Sequence, residues 1–260
     1  MGILNITPDS FSDGGNYVTR DSAVARALEI VAEGAAIIDI GGESSRPGAD
    51  PVDTTEEIRR VVPVIEAIRK QSDIPISIDS YKSATAREAL DAGADMVNDI
   101  SALRFDSDMA RLVAKRKVPV VLMHMLGDPK TMQSNPTYDD CVKEIADFFA
   151  ERITFALSAG IERSKLILDP GIGFGKRPAD NPAILARLGE FARFDLPLLV
   201  GASRKSFIGV VDSQATSDRR LGGSVAAAVI AVMSGAHIVR VHDVRETVQA
   251  MNVLNAVRKA

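Results

Sequence analysis

Short apolar runs that end on a polar residue recur along the chain, and a segment of helical period follows each of them. The runs are Gly2–Asn5, Ala36–Ile40, Pro75–Asp79, Asp95–Asn98, Pro119–His124, Lys165–Asp169, Pro197–Gly201 and His237–His242. They are too short for helices and too uniformly apolar for a sheet with one wet face, so they predict buried parallel strands. Between them, Ile58, Val61, Val62, Ile65 and Ile68 form one helical stripe, and Val24, Leu28 and Val31 form another. Thr54 and Glu57 have the spacing of a capping box. Gly34, Gly93 and Gly160 stand where helices should close. Eight β-then-α units without a break in composition predict one domain over residues 1–260, a single (β/α)8 TIM barrel of the α/β class. A doubly wound open sheet is the alternative. It would need a reversal of strand order and commonly a Gly-rich dinucleotide turn, and the sequence carries neither signal.

In such a barrel the C-terminal strand ends and the loops after them build the active site. The residues at those ends are Asn5, Asp39 ahead of Gly41-Gly42-Glu43, Asp79, Asn98-Asp99, His124, Asp169, Gly201 ahead of Ser203-Arg204-Lys205-Ser206, and Arg240 with His242. Acids, amides and bases converging on one rim must be desolvated or paired, which stability alone does not explain. They sort into two sets. Asp79, Asn98 and Asp169 suit the amino-pyrimidinone edge of a flat heterocycle, with Lys205 as a further donor and Met123 and Phe174 as apolar faces. Asn5, Arg46, Arg240 and His242 read as an anion site, and the Asn5 oxygen could serve a Mg²⁺. Plainer readings compete. A strand-end acid can cap a helix or pair with a lysine, and a histidine at position 242 is as often a packed or capping residue. His237 opens its run, which puts it at the opposite rim. His124 points toward the mouth, with no partner evident from sequence. The stretch Thr7–Gly15 sets Phe11 among polar residues and ends on two glycines, so it predicts a loop over the mouth whose ring covers a ligand.

Two motifs carry less than they suggest. Gly171-Ile172-Gly173-Phe174-Gly175-Lys176 lacks the spacing of a phosphate-binding loop and a Ser or Thr after the lysine, so it predicts a flexible loop under a substrate. Ser203 and Ser206 have no evident His or Asp partners, which speaks against a serine nucleophile.

Composition narrows the class further. Hydrophobic residues make up 46% and charged residues 25%, as in ordinary globular domains. A net charge of −4 argues against a broad nucleic-acid or membrane surface, so any anion must be held by local positive charge. No apolar run approaches the ~20 residues of a membrane span, and no basic leader precedes the first run. The single cysteine, Cys141, excludes an internal disulfide and a thiolate metal cage and suits a reducing cytoplasm.

Five stretches resemble the dihydropteroate synthase family, the sulfonamide-inhibited enzymes of the folate pathway. They are Asn5 to Gly15 (NITPDSFSDGG), Gly41 to Ala49 (GGESSRPGA), Asp169 to Lys176 (DPGIGFGK), Ser203 to Ser206 (SRKS) and Arg240 to Asp243 (RVHD). The motifs are long and correctly ordered, and the likeness runs through the whole sequence. The resemblance implies condensation of 6-hydroxymethyl-7,8-dihydropterin diphosphate with p-aminobenzoate to 7,8-dihydropteroate and diphosphate. It implies that Asp79, Asn98, Asp169 and Lys205 hold the pterin near Met123 and Phe174. Asn5, Arg46, Arg240 and His242 would bind diphosphate, with Mg²⁺ near Asn5. Ser45, Pro47, Phe174, Lys205 and Ser206 would border p-aminobenzoate, and Phe11 would close over it. It also implies a homodimer through the last helices.

For the chemistry, we expect a dissociative displacement, with Asp79 stabilising the pterin cation and Asp13 joining as the first loop closes. Lys205, Arg240 and His242 would complete the catalytic set. Ser45 stands where the family usually has Thr, and the short segment the family carries ahead of the first strand is not among these 260 residues. Two rival readings remain. A pterin-binding methyltransferase barrel would not need the diphosphate set, and a non-catalytic pterin-binding scaffold would have lost part of that set or the Phe11 loop.

Overall fold

A computed structural model describes residues 1–6, 16–44 and 48–260, without the side chains of residues 16–19 and 217. Six strands form a parallel sheet in chain order: β1 (Gly2–Asn5), β2 (Ile38–Gly41), β3 (Ile76–Asp79), β4 (Met96–Asp99), β5 (Val120–Met123) and β6 (Leu166–Asp169). Two more, β7 (Leu199–Val200) and β8 (Ile238–Val239), pair with each other. Parallel bridges Leu168↔Leu198 and Gly2↔Val241 join the two pieces. Leu168 N–H donates to Pro197 O at 2.9 Å and Ile3 N–H to Val241 O at 3.0 Å. The eight strands therefore close into a (β/α)8 barrel, leaving no sheet edge unpaired among the described residues.

Each predicted run overlaps one strand, with β2 and β4 each extending one residue beyond its run, and the flanks of the runs are where the two differ. Prolines 75, 119 and 197 begin three runs but lie just outside the strands. A proline has no N–H to give a ladder, yet its carbonyl remains useful. Pro75 O accepts from Ile38 N–H and Pro119 O from Val97 N–H, each at 3.0 Å.

The outer layer holds α1 (Asn16–Ala32), α2 (Thr54–Arg69), α3 (Ser83–Asp91), α4 (Met109–Arg116), α5 (Cys141–Ser158), α6 (Asp180–Ala186), the short α7 (Ser206–Val211), α8 (Leu221–Met233) and α9 (Val244–Lys259). Gly34, Gly93 and Gly160 follow α1, α3 and α5 with positive φ, as predicted for C-terminal caps. In α2 the buried stripe is Val61, Val64, Ile65 and Ile68; Ile58 and Val62 are only half-buried. The predicted capping box does not form. Asp53 caps α2 instead, its Oδ1 accepting from Thr55 N–H at 2.8 Å. Glu57 faces inward, buried, and accepts from Lys82 Nζ at 2.9 Å and Thr85 Oγ1 at 3.0 Å.

Inside the barrel the layers change character with height. Met96, Val121 and Leu199 cluster with Ile37, Ile167 and Ile238 below. Ile100, Met123, Met125, Met132 and Phe174 form a separate apolar cluster at the C-terminal mouth. Between these apolar groups the polar strand ends face one another.

Candidate active site

Asp39 lies between Ile38 and Ile40 on β2, wholly buried. Its Oδ2 accepts from Asn98 Nδ2 on β4 at 3.0 Å and from Arg240 Nε, just beyond β8, at 2.6 Å. The same guanidinium donates from Nη2 to Asp79 Oδ2, the last residue of β3, at 2.7 Å. One arginine thus forks across two acids and joins them to the carboxamide. The sequence separated Arg240, as an anion binder, from the acids of the heterocycle set. The structure brings them into one cluster, because Asp39, fully desolvated, requires a cation within reach. Asp39 Oδ1 is buried without a hydrogen-bond partner among the described residues.

Asp169 ends β6, with Oδ1 accepting from Gly171 N–H at 2.8 Å. Burial pushes its carboxyl up to about 6, against the pull of that bond and of Lys205. Burial also raises Asp79 above the carboxylate range, with Asp39 adding to the rise and Arg240 opposing it. Lys205 sits beside both acids, its Nζ 3.9 Å from the centre of the Phe174 ring. Burial and then Arg240 draw its ammonium down to about 8, while Asp169 and Asp79 resist. Met123 and Phe174 belong to the apolar cluster at the mouth.

Asn5 closes β1, in register with Gly41, which pairs in turn with Asp79. Asn5 Oδ1 and Asp79 Oδ2 lie 3.8 and 3.6 Å from the point where a Gly41 Cβ would stand, so the two oxygens share one space. Among the described residues no group of three or more His, Cys, Asp or Glu side chains could hold a metal ion. A single amide oxygen at the rim suits a cation that keeps its waters and takes most of its other ligands from a phosphate, the habit of Mg²⁺.

His242, read from the sequence as part of an anion site, is half-buried just beyond β8. Burial, then Arg240 and Arg204, draws it down to about 4, so the ring is neutral at pH 7. It has a partner the sequence did not reveal: Nδ1 lies 3.0 Å from Ser203 Oγ, which also accepts from the His242 backbone N–H at 3.2 Å. Ser206 opens α7 at the surface. Phe11, Asp13, Ser45, Arg46 and Pro47 lie outside the described residues.

The loop after β6 is pinned rather than flexible. Lys176, wholly enclosed, donates from Nζ to Phe174 O at 2.9 Å and Gly171 O at 3.2 Å and meets His124 Nδ1 at 2.9 Å. Burial draws the Lys176 ammonium down to about 7, and in its charged form it donates to Nδ1, having no acceptor to offer. Burial followed by Lys176 holds His124 well below the histidine range. Gly171 has φ +67, and a Cβ on it would lie 2.0 Å from His124 O, so only glycine fits.

A second anchor sits below the β2–α2 loop. Lys82 Nζ meets Glu43 Oε2 and Val52 O at 2.6 Å each and Glu57 Oε2 at 2.9 Å, while Tyr81 donates to Glu43 Oε1 at 2.7 Å. One ammonium therefore ties both ends of that loop to the barrel. Asp99, beside Asn98, is structural: it accepts from Ser101 and Leu103 N–H and shapes the next turn. Asp39, Lys82, Lys176 and Ser203 are the site residues that sequence reasoning undervalued. For Asp39 there was a signal, an acid inside the run AIIDI, where a buried charge has to be paired or used.

Residues 1–242 match the family model described as pterin binding enzyme. Escherichia coli (strain K12) dihydropteroate synthase is 52% identical over 260 residues, covering 100% of this chain and 92% of that protein. The structure of Xanthomonas albilineans dihydropteroate synthase with 4-aminobenzoic acid superposes with a TM-score of 0.94 at 48% identity, covering 100% of this chain and 93% of that one. The Yersinia pestis dihydropteroate synthase in a sulfonamide drug complex also gives 0.94, at 50% identity and 100% and 94% coverage.

Proposed function

This chain belongs to the pterin-binding enzyme family and catalyses the dihydropteroate synthase reaction, and we propose how its residues divide that work. Dihydropterin diphosphate and p-aminobenzoate enter, and 7,8-dihydropteroate and diphosphate leave. The observation that carries the division of labour is the fork of Arg240 across Asp39 and Asp79, with Asn98 bonded to the same Asp39 and with Asp169 and Lys205 acting on the same cluster.

The ring edge of the pterin donates to Asp169 and Asp79, Asn98 both donates and accepts, and Lys205 donates. Met123 and Phe174 pack on the ring faces. Arg240 and neutral His242 bind diphosphate, joined by Arg46 from the β2–α2 loop. Asn5 would hold Mg²⁺, which when bound neutralises charge on the leaving diphosphate. Phe11, Ser45, Pro47 and Ser206 border p-aminobenzoate. The sulfonamide drug complex of the Yersinia pestis relative supports reading this chain as a sulfonamide target.

The displacement is dissociative. Positive charge left on the carbon spreads into the electron-rich dihydropterin. The buried acids Asp79 and Asp39 stabilise that charge, with Asp13 added from the first loop. The attacking aromatic amine is already neutral at pH 7, so the step calls for no strong base, and Ser203 need not act as a nucleophile although it has a histidine partner. Closure of the two loops excludes water that would trap the cation. Scrambling of ¹⁸O from the bridging position of the pterin diphosphate, measured without p-aminobenzoate, tests this order. Scrambling supports it; a strict requirement for p-aminobenzoate before any C–O cleavage overturns it.

Exposed Ile230 and Met233 on α8 and Val253 and Val257 on α9 support a homodimer through the last helices. Sedimentation at the mass of two chains fits that reading, and at the mass of one chain contradicts it. No helix among the described residues is long and apolar enough to cross a membrane. The lone buried cysteine supports a cytoplasmic location.

A further inference from the structure

We propose that Ser203 is a positioning residue for this reaction: its hydroxyl fixes His242 as the tautomer with the proton on Nε2, making the neutral ring a hydrogen-bond donor to the departing diphosphate. The proposal rests on the reading that His242 binds diphosphate.

Ser203 is buried, and among the described residues its oxygen makes two hydrogen-bond contacts, both to His242. The backbone N–H of His242 already donates into Oγ. The hydroxyl has one hydrogen, and Nδ1 at 3.0 Å is the acceptor it meets among the described residues. The opposite arrangement would aim two donors at one oxygen and leave the hydroxyl hydrogen buried without an acceptor, which is costly. Nδ1 is therefore the acceptor, and the proton of a neutral ring must stand on Nε2. A ring protonated on Nδ1 would instead offer an anion a lone pair.

The surroundings hold the pair in this state. Burial first, then Arg240, Arg204 and Lys205, disfavour the charged form of His242, with Asp243 the opposing acid. Arg204, between Ser203 and Lys205, is a non-glycine residue at φ 57. That left-handed turn is unfavourable for such a residue and is maintained by its partners. Its N–H donates to Ser224 Oγ at 2.8 Å, its carbonyl accepts from Arg220 Nη1 at 3.1 Å, and its Nε donates to Asp243 Oδ2 at 3.0 Å. The turn lets Ser203 face His242 while Lys205 faces the Phe174 ring, and the Arg204–Asp243 pair ties the loops after β7 and β8 together.

Long-range ¹H–¹⁵N correlation on labelled protein resolves the tautomers of the three histidines, with His242→Gln assigning the signal. The expected spectrum has His242 as Nε2–H in the wild type and in Ser203→Thr, and a tautomer mixture in Ser203→Ala. Titration with inorganic pyrophosphate and Mg²⁺ should weaken about five- to tenfold in Ser203→Ala, as for the loss of one buried hydrogen bond. Affinity for 6-hydroxymethylpterin should not change, and in a His242→Ala background the serine change should have no further effect. An Nδ1–H tautomer in the wild type overturns the proposal, as does an equal loss in both backgrounds. If His242→Ala leaves pyrophosphate binding intact while the tautomer is Nε2–H, the diphosphate reading of His242 has failed, and the proposal with it.

Discussion

Arg240 and Asp79, 161 residues apart in sequence, meet at 2.7 Å through Nη2 and Oδ2, and the same guanidinium holds the fully buried Asp39 at 2.6 Å. In the proposed division of labour, the arginine assigned to the leaving group is thus also the cation that pairs with the acids assigned to the pterin. Anion binding and charge stabilisation would then be two uses of one fork.

Arg240→Met should consequently damage two properties. Two acids would lose their cation, at a cost of roughly 3–5 kcal/mol, and kcat/KM should fall by about 100-fold or more, the range of a lost charge-assisted bond. Adding Asp39→Asn should recover most of the stability and none of the activity. Thermal denaturation and steady-state rates read the two effects separately, and full recovery of both would refute the dual role.

The pH profile of kcat/KM should be bell-shaped. Asp169, pushed up to about 6, and Asp79, raised likewise by burial, must both ionise to accept from the pterin, so activity rises as pH climbs through that region. Lys205, drawn down to about 8, must keep its proton to donate, so activity falls above it. Lys205→Arg should move the alkaline limb upward. An alkaline limb unmoved by that change would assign it to another group.

Asp169 also makes stability depend on pH. Its carboxyl holds a proton in the fold up to about 6, whereas the unfolded chain releases it near the ordinary 3.8. The folded state binds more protons across that window, so stability falls as pH rises through it, by up to about 3 kcal/mol. Asp169→Asn should lack this slope, differing least from wild type near pH 4 and exceeding its stability at pH 7 to 8, while losing pterin affinity. Urea midpoints across pH measure it, and parallel curves would contradict it.

Much of this was legible in the sequence. Strand ends are marked by polarity breaks, because a buried strand is mostly apolar until the site begins, which is why Asn5, Asp79, Asn98 and Asp169 could be read. Asp39 was harder, since its role depends on Arg240 arriving from the far end of the chain. The Ser203–His242 pair was invisible for the same reason, as it needs β7 and β8 to be neighbours. Lys176 misled in another way: a glycine-rich stretch suggests mobility until a buried ammonium gathers its carbonyls.

Lys82 supplies a prediction about the β2–α2 loop. Lys82→Met leaves the nearly inaccessible Glu57 and Glu43 without their cation. It should cost roughly 3 kcal/mol and raise KM for p-aminobenzoate more than for the pterin diphosphate. Lys82→Met with Glu57→Gln should restore stability while KM stays high. If both recover together, the anchor serves stability alone.

The most direct test of the account is a crystal structure with 6-hydroxymethylpterin and pyrophosphate bound together. The account predicts the pterin edge on Asp79, Asn98, Asp169 and Lys205, with pyrophosphate on Arg240 and His242 at the same mouth. A pyrophosphate seated away from Arg240, or a pterin that does not reach Asp169, would contradict it.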